Sequence, residues 1–184
     1  MDTSFARQVN LLSEQTIELC YHCHKCTAGC PAAGAMTYGP DRILRLVQLG
    51  EKERLLASSD IWLCTACATC GTRCPNEIDI ARVMDALRQM AVAESVAVGE
   101  PDALRFHQLF LALTRQLGRM HEATLLGMYK LWTRHILADL DSGTRMFVKG
   151  KIPLMPHTVK GRRELKRIFE VTRAKPDRAS RGDL

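Results

Sequence analysis

The residues able to do chemistry in this 184-residue chain are its eight cysteines, and their spacing is written twice. Cys20, Cys23, Cys26 and Cys30, followed by Pro31, form a C-x2-C-x2-C-x3-C-P run. Cys64, Cys67, Cys70 and Cys74, followed by Pro75, repeat it 44 residues later, and no cysteine lies outside the two copies. The approaches also match, Ile17-Glu18-Leu19 before the first and Ile61-Trp62-Leu63 before the second. Thiolates are soft, anionic donors suited to iron–sulfur clusters. Three of them at two-residue intervals can reach three irons of one [4Fe–4S] cube from a single loop. In two-cluster proteins with this run, the cysteine before the proline ligates the other cluster. The spacing therefore assigns Cys20, Cys23, Cys26 and Cys74 to one [4Fe–4S] cluster, and Cys64, Cys67, Cys70 and Cys30 to a second.

Other chemistries fit the pattern less well. Structural zinc sites use paired C-x2-4-C knuckles, four cysteines to a site, and do not explain a third cysteine at the same interval and a fourth before proline. A disulfide framework does not suit C-x2-C steps in a chain without a secretory signature. There is no Gly-rich phosphate loop and no nucleophile arrangement, and every cysteine is committed to ligation. The chain is thus expected to pass electrons, with no catalytic residue and no substrate chemistry of its own. His22 and His24, inside the first run, read as solvent-facing loop residues, the second reading being tuning of a cluster through hydrogen bonds. Lys25 and Arg73 have the same two readings. His107, His121, His135 and His157 are scattered and read as non-ligands, and Met84 and Met90 as core.

The elements that must position the two runs read as helices throughout. Residues 4–19 predict a first helix, with Thr3 or Ser4 as N-cap and Val9, Leu12 and Leu19 on one stripe. Pro40 opens a helix over 40–49 that Gly50 ends, and a short helix over 51–57 leads to a capping cluster, Ser58-Ser59-Asp60. A longer amphipathic helix follows the second run to about Val98, carrying Ile80, Val83, Met84, Leu87, Met90 and Ala91 on its apolar face. Gly99-Glu100-Pro101-Asp102 is a break. Two further helices are expected over 102–118 and 121–139, with Ser142-Gly143 ending them. An irregular Pro-containing connector runs through Lys149–Pro156, followed by a basic helix over 158–173 and a frayed end from Lys175. No strand pattern is present, so the expected fold class is all-α: a helical two-cluster ferredoxin-like domain over 1–98, with additional C-terminal helices and a basic tail over 99–184.

Composition agrees with a globular chain, 46% hydrophobic with 5% aromatic residues. The N-terminus has no apolar signal region and no window of about 18 uncharged apolar residues exists. A soluble, cytoplasmic protein without membrane insertion is expected. The net charge of +6 is uneven. Residues 1–140 hold 14 basic and 15 acidic side chains, whereas residues 141–184 hold 12 basic and 5 acidic. A near-neutral body with a basic tail marks the tail as an interaction surface.

Taken together, the twin runs, the helical pattern and the Lys149-Gly150-Lys151-Ile152-Pro153-Leu154-Met155-Pro156 connector before a basic helix resemble the C subunit of heterodisulfide reductase, over roughly Leu11 to Val171. The resemblance implies two [4Fe–4S] clusters held by the eight cysteines. It also implies an electron relay between two partners. The donor is the flavin- and iron–sulfur-bearing A subunit, and the acceptor is the B subunit, whose CCG modules reduce a disulfide. On that reading the chain is the electron-transfer subunit of an oxidoreductase complex. The alternative is a free-standing two-cluster ferredoxin serving other oxidoreductases. A more remote one is a zinc-stabilised nucleic-acid-binding module using Arg162, Arg163, Lys166 and Arg167 on phosphates.

Overall fold

The computed structural model describes residues 3–134, 145–146, 148–150 and 159–174, and of Thr3, Arg173 and Ala174 only the backbone. The described residues are helical and include no strand, as expected. Ser142-Gly143, His135, His157, the end of the helix expected to reach 139, the prolines of the connector and the segment from Lys175 lie outside the described residues. The chain divides into two compact units, the first built from residues up to Pro101 and the second running from Asp102 to Pro176.

The first unit carries the cysteines. Helix α1 (Thr3–Ser13) buries Phe5, Ala6 and Val9 on one stripe and packs on α3 (Pro40–Leu49) and α7 (Ile80–Ala93). It ends six residues earlier than the pattern predicts. Glu14 takes a left-handed φ of 57°, and the Asn10 side chain accepts the Ile17 amide at 3.1 Å. A single 3₁₀ turn, Ile17–Leu19, then delivers the first cysteine, with Ile17 buried and Leu19 exposed rather than on the α1 stripe. Thr3 and Ser4 are the first two residues of α1 rather than residues ahead of it.

After the first run, α2 (Lys25–Ala28) and a 3₁₀ turn over Ala33–Ala35 lead to α3. Pro40 starts α3 with its φ already helical, and left-handed Gly50 ends it at φ 78°. Its apolar face, Ile43, Leu44 and Val47, is completely buried. Helix α4 (Lys52–Leu56) adds Leu55 and Leu56, and α5 (Asp60–Leu63) carries Ile61 and Trp62 into the core beside α7. Asp60 does not cap its own helix. Its buried carboxylate accepts the amides of Thr37 at 2.7 Å and Tyr38 at 3.1 Å, so it ties the loop after the first run to the approach of the second.

Helix α6 (Thr69–Arg73) lies within the second run, and α7 follows. Asp79 caps α7 by accepting the amides of Ala81 and Arg82. Ile80, Val83, Met84, Leu87, Met90 and Ala91 are buried, as the periodicity predicts, but α7 stops at Ala93 rather than Val98. Ser95 turns left-handed at φ 54° directly beyond it.

In the second unit, α8 (Pro101–Leu117) and α9 (Glu122–Thr133) pack through Leu109, Leu113 and Leu125, with Leu117, Met120 and Tyr129 around them. The Phe106 and Tyr129 rings meet edge to face at 5.8 Å. His121 caps α9 by accepting the Thr124 amide through Nδ1. Gly118 ends α8 at φ 88°, and a Cβ there would collide with the Val159 side chain. The basic helix α10 (Arg162–Ala174) follows, held to the end of α8 where Arg162 Nε donates to the Gln116 carbonyl at 3.0 Å.

Candidate metal centre

The two cysteine runs share a backbone conformation as well as a spacing. His22 and His24 in the first, and Ala66 and Ala68 in the second, all take left-handed φ between 52° and 62°. They flank Cys23 and Cys67, and such residues cost about 1 kcal/mol each relative to a relaxed chain. The pattern curls the loop around one side of each site. Beyond it, the Ala28 amide donates to His24 O at 3.0 Å and the Thr72 amide to Ala68 O at 3.2 Å. Cys30 N to Thr27 O and Cys74 N to Gly71 O are both 3.1 Å. Each of these pairs is related by the 44-residue offset of the sequence.

Helices α2 and α6 pack directly against each other, which brings the ends of the two runs together. Gly29 and Arg73, equivalent positions in the repeat, meet there: a Cβ on Gly29 would stand 2.5 Å from an Arg73 guanidinium nitrogen. One of the two must lack a side chain for the other to lie across it. Across this contact Cys30 lines one pocket with Cys64, Cys67 and Cys70, closed by Met36, Pro40, Ile80 and Met84. Met84, a core residue, therefore also faces the thiols. Cys74 sits close enough to Cys20 for its charge to raise the Cys20 pKa, and Asn76, two residues on, donates to the Leu19 carbonyl.

Burial grades the thiols. Cys26 and Cys70 are buried and Cys23 and Cys67 exposed, with the other four between. Desolvation pushes the Cys70 thiol up to about 11, with the neighbouring Cys64 and Cys26 adding to the rise. Burial likewise raises Cys26 and Cys20. The Thr69 hydroxyl and amide hold exposed Cys67 below its ordinary value. Buried thiols that resist ionisation alone are what a positively charged iron centre overcomes by coordinating the thiolate. Among the described residues no three His, Cys, Asp or Glu side chains converge as a single metal ion needs. A cube takes one thiolate at each iron and needs no such convergence.

A polar shell surrounds the runs, and the spacing alone does not reveal it. His22 is half-buried rather than solvent-facing: Nδ1 stands 3.8 Å from Cys20 Sγ, and Nε2 lies 2.8 Å from Gln48 Oε1. His24 is exposed, but its Nδ1 is 2.8 Å from the carboxylate of buried Asp41. That carboxylate also accepts from the Thr27 hydroxyl, and the Asp41 amide donates to Thr27 Oγ1 at 3.2 Å. Gln48 and Arg88 hold the carbonyls leading into the two runs. Gln48, Asp41 and Arg88 each sit in a helix where their polarity reads as surface. Only the turn of that helix toward a cysteine run gives them a role.

Comparison with known proteins defines the class first. Residues 19–79 match the family described as a 4Fe-4S dicluster domain, so this segment is an iron–sulfur electron-transfer module with two [4Fe–4S] clusters. The donor chemistry fits, since soft thiols line a pocket otherwise made of small and apolar residues. Its relatives then narrow the class. The chain is 40% identical over 77 residues to the iron-sulfur C2 subunit of CoB–CoM heterodisulfide reductase of Methanocaldococcus jannaschii, covering 42% of this chain and 41% of that protein. It is 29% identical over 91 residues to the C subunit of H(2):CoB-CoM heterodisulfide,ferredoxin reductase of Methanothermobacter marburgensis, 50% of this chain and 49% of that one. A third relative, the C subunit of ferredoxin:CoB-CoM heterodisulfide reductase of Methanosarcina acetivorans, is 38% identical over 82 residues, 45% of this chain and 33% of that protein. These relatives bear out the resemblance to the C subunit of heterodisulfide reductase. The chain spans less than half of the length of each. No helix among the described residues is long and apolar enough to cross a membrane.

Proposed function

We propose that the chain is the electron-relay subunit of a heterodisulfide reductase-like complex. It would take electrons from a flavin- and cluster-bearing partner and deliver them to a disulfide-reducing partner with CCG modules. Cys20, Cys23, Cys26 and Cys74 would hold one [4Fe–4S] cluster, and Cys64, Cys67, Cys70 and Cys30 the other. One observation carries the reading: the thiols are graded across the unit. Cys23 and Cys67 are exposed, while Cys26 and Cys70 are buried, and burial above all, with smaller contributions from Cys64 and Cys26, raises the Cys70 pKa. Such an order offers an edge at the surface for entry, a dry interior for transfer and a second edge for exit. When bound, the clusters would supply one-electron chemistry. The protein's own residues hold the thiolates, exclude water at Cys26 and Cys70, and fix the loop backbone through the left-handed positions.

The remainder, 99–184, is proposed as the docking part, its occupant an acidic face of a partner subunit. Helix α10 exposes Arg162, Arg163, Lys166 and Arg167, and the segment from 141 onward holds 12 basic against 5 acidic side chains. Helices α8 and α9 leave Leu111, Leu131 and Trp132 exposed. The test is co-purification with the flavin-bearing and the CCG-module partners, using the full chain and a chain lacking residues 141–184. The shortened chain is expected to keep its iron and visible absorption while losing partner binding. A full chain that stays monomeric beside both partners and reduces unrelated oxidoreductases instead marks a free ferredoxin.

A further inference from the structure

The two runs share a backbone, but the side chains that clasp them differ by one charge. Gln48 of α3 donates through Nε2 to the carbonyls of Ile17, at 3.0 Å, and Cys20, at 3.3 Å. The carbonyls 44 residues on, those of Ile61 and Cys64, accept from Arg88 of α7: Nε reaches Ile61 O at 2.6 Å and Nη2 reaches Cys64 O. Each clasp comes from the helix that follows its own run. Gln48 and Arg88 stand 40 residues apart, off the repeat's register, so aligning the two copies does not pair them.

An opposite charge stands at the first run. Asp41 is buried, and its carboxylate accepts from the hydroxyl of Thr27, the residue directly after Cys26, so a negative charge stands in the dry interior against the first run. Its contacts are the Thr27 hydroxyl and the exposed His24 ring. The cations inside the runs themselves, Lys25 and Arg73, are exposed, where water and salt screen them. Arg88 is half-buried, so the guanidinium cation it carries is less screened by water and salt.

We infer that Arg88 and Asp41 set the two clusters at unequal potentials, the one at Cys64, Cys67 and Cys70 above the one at Cys20, Cys23 and Cys26. The inference rests on the ligand sets proposed above. Adding an electron adds negative charge, which a nearby cation favours and a buried carboxylate opposes. Arg88 thus makes the second site the resting place of an electron crossing the chain. Asp41 makes the first the stronger donor.

The experiment is a potentiometric titration of the full chain, followed by electron paramagnetic resonance, with iron and sulfide measured on each sample. The wild-type chain is expected to reduce in two resolved steps. Arg88→Gln, which copies the chemistry of Gln48, should move the upper step toward the lower one and leave the lower in place. Arg88→Lys keeps the charge without the fork and should keep the separation. Asp41→Asn should raise the lower step alone. A separation unchanged in Arg88→Gln at full iron content, or both steps moving together, overturns the inference. If Arg88→Gln loses its iron, the other two variants decide. Loss of the separation in an iron-replete Arg88→Lys chain, or an unmoved lower step in Asp41→Asn, overturns it equally. A wild-type chain holding iron for a single cluster would overturn the ligand sets instead.

Discussion

The first and second cysteine runs have the same spacing, the same left-handed positions and the same turn hydrogen bonds, yet they stand in different surroundings. The first is dressed with ionisable and polar groups: His22 against Cys20 and Gln48, His24 against Asp41. Alanines occupy the matching positions of the second, which borrows its polarity from Arg88 and opens on a pocket walled by Met36, Ile80 and Met84. On the proposed ligand sets, the repeat would specify where iron goes, and the helices after each run would specify what the iron feels. A duplicated motif can hold two like clusters without making them equivalent.

The strongest way to sharpen this comparison is to remove one exposed ligand from each run. Cys23→Ala and Cys67→Ala are each expected to cost half of the iron, with the remaining half giving a single resonance signal, and the two signals should differ. Identical residual signals would break the comparison.

Next in size is the approach to each run. Asp60 precedes the second run and accepts two loop amides, whereas Thr16, its counterpart before the first, is exposed. Asp60→Ala should lower stability by about 2 kcal/mol through the lost charged acceptor. Thr16→Ala should stay within about 0.5 kcal/mol. Urea denaturation under anaerobic conditions reads both.

The helices that follow the runs start differently, α7 on the side chain of Asp79 and α3 on Pro40 after an uncapped Gly39. Asp79→Ala should therefore cost about 1 kcal/mol, visible as a lowered denaturation midpoint. The smallest effect concerns the left-handed positions. Ala66→Gly relieves a backbone that alanine resists, and a net gain of about 0.5 kcal/mol is expected after the added flexibility of the unfolded chain. His22→Gly gains the same relief but gives up the contact with Gln48, so its stability should fall.

Much of this was legible in the sequence, for reasons visible in particular residues. The helices at 40–49 and 80–93 announce themselves through Pro40, Gly50 and the buried stripe from Ile80 to Ala91. The all-helical class followed from helical periodicity with no strand pattern, and the two clusters from a cysteine spacing that few chemistries share. Helix ends were harder to see, because Glu14 and Ser95 leave the helical region where nothing in residue type requires it, and the competing bond from Asn10 depends on tertiary placement. The shell of Asp41, Gln48 and Arg88 was not legible for the same reason. Each is an ordinary polar residue on a helix, and its partners lie 14 to 31 residues away in sequence.

The central claim is that the two halves exchange their fourth cysteine, and paired substitutions test it most directly. Cys74→Ala is expected to leave half of the iron. On that background Cys23→Ala should remove no more, since both residues serve one cluster, while Cys67→Ala should remove the rest. The reverse outcome, with Cys67→Ala silent and Cys23→Ala emptying the chain, would show that each run keeps its own fourth ligand and would contradict the account.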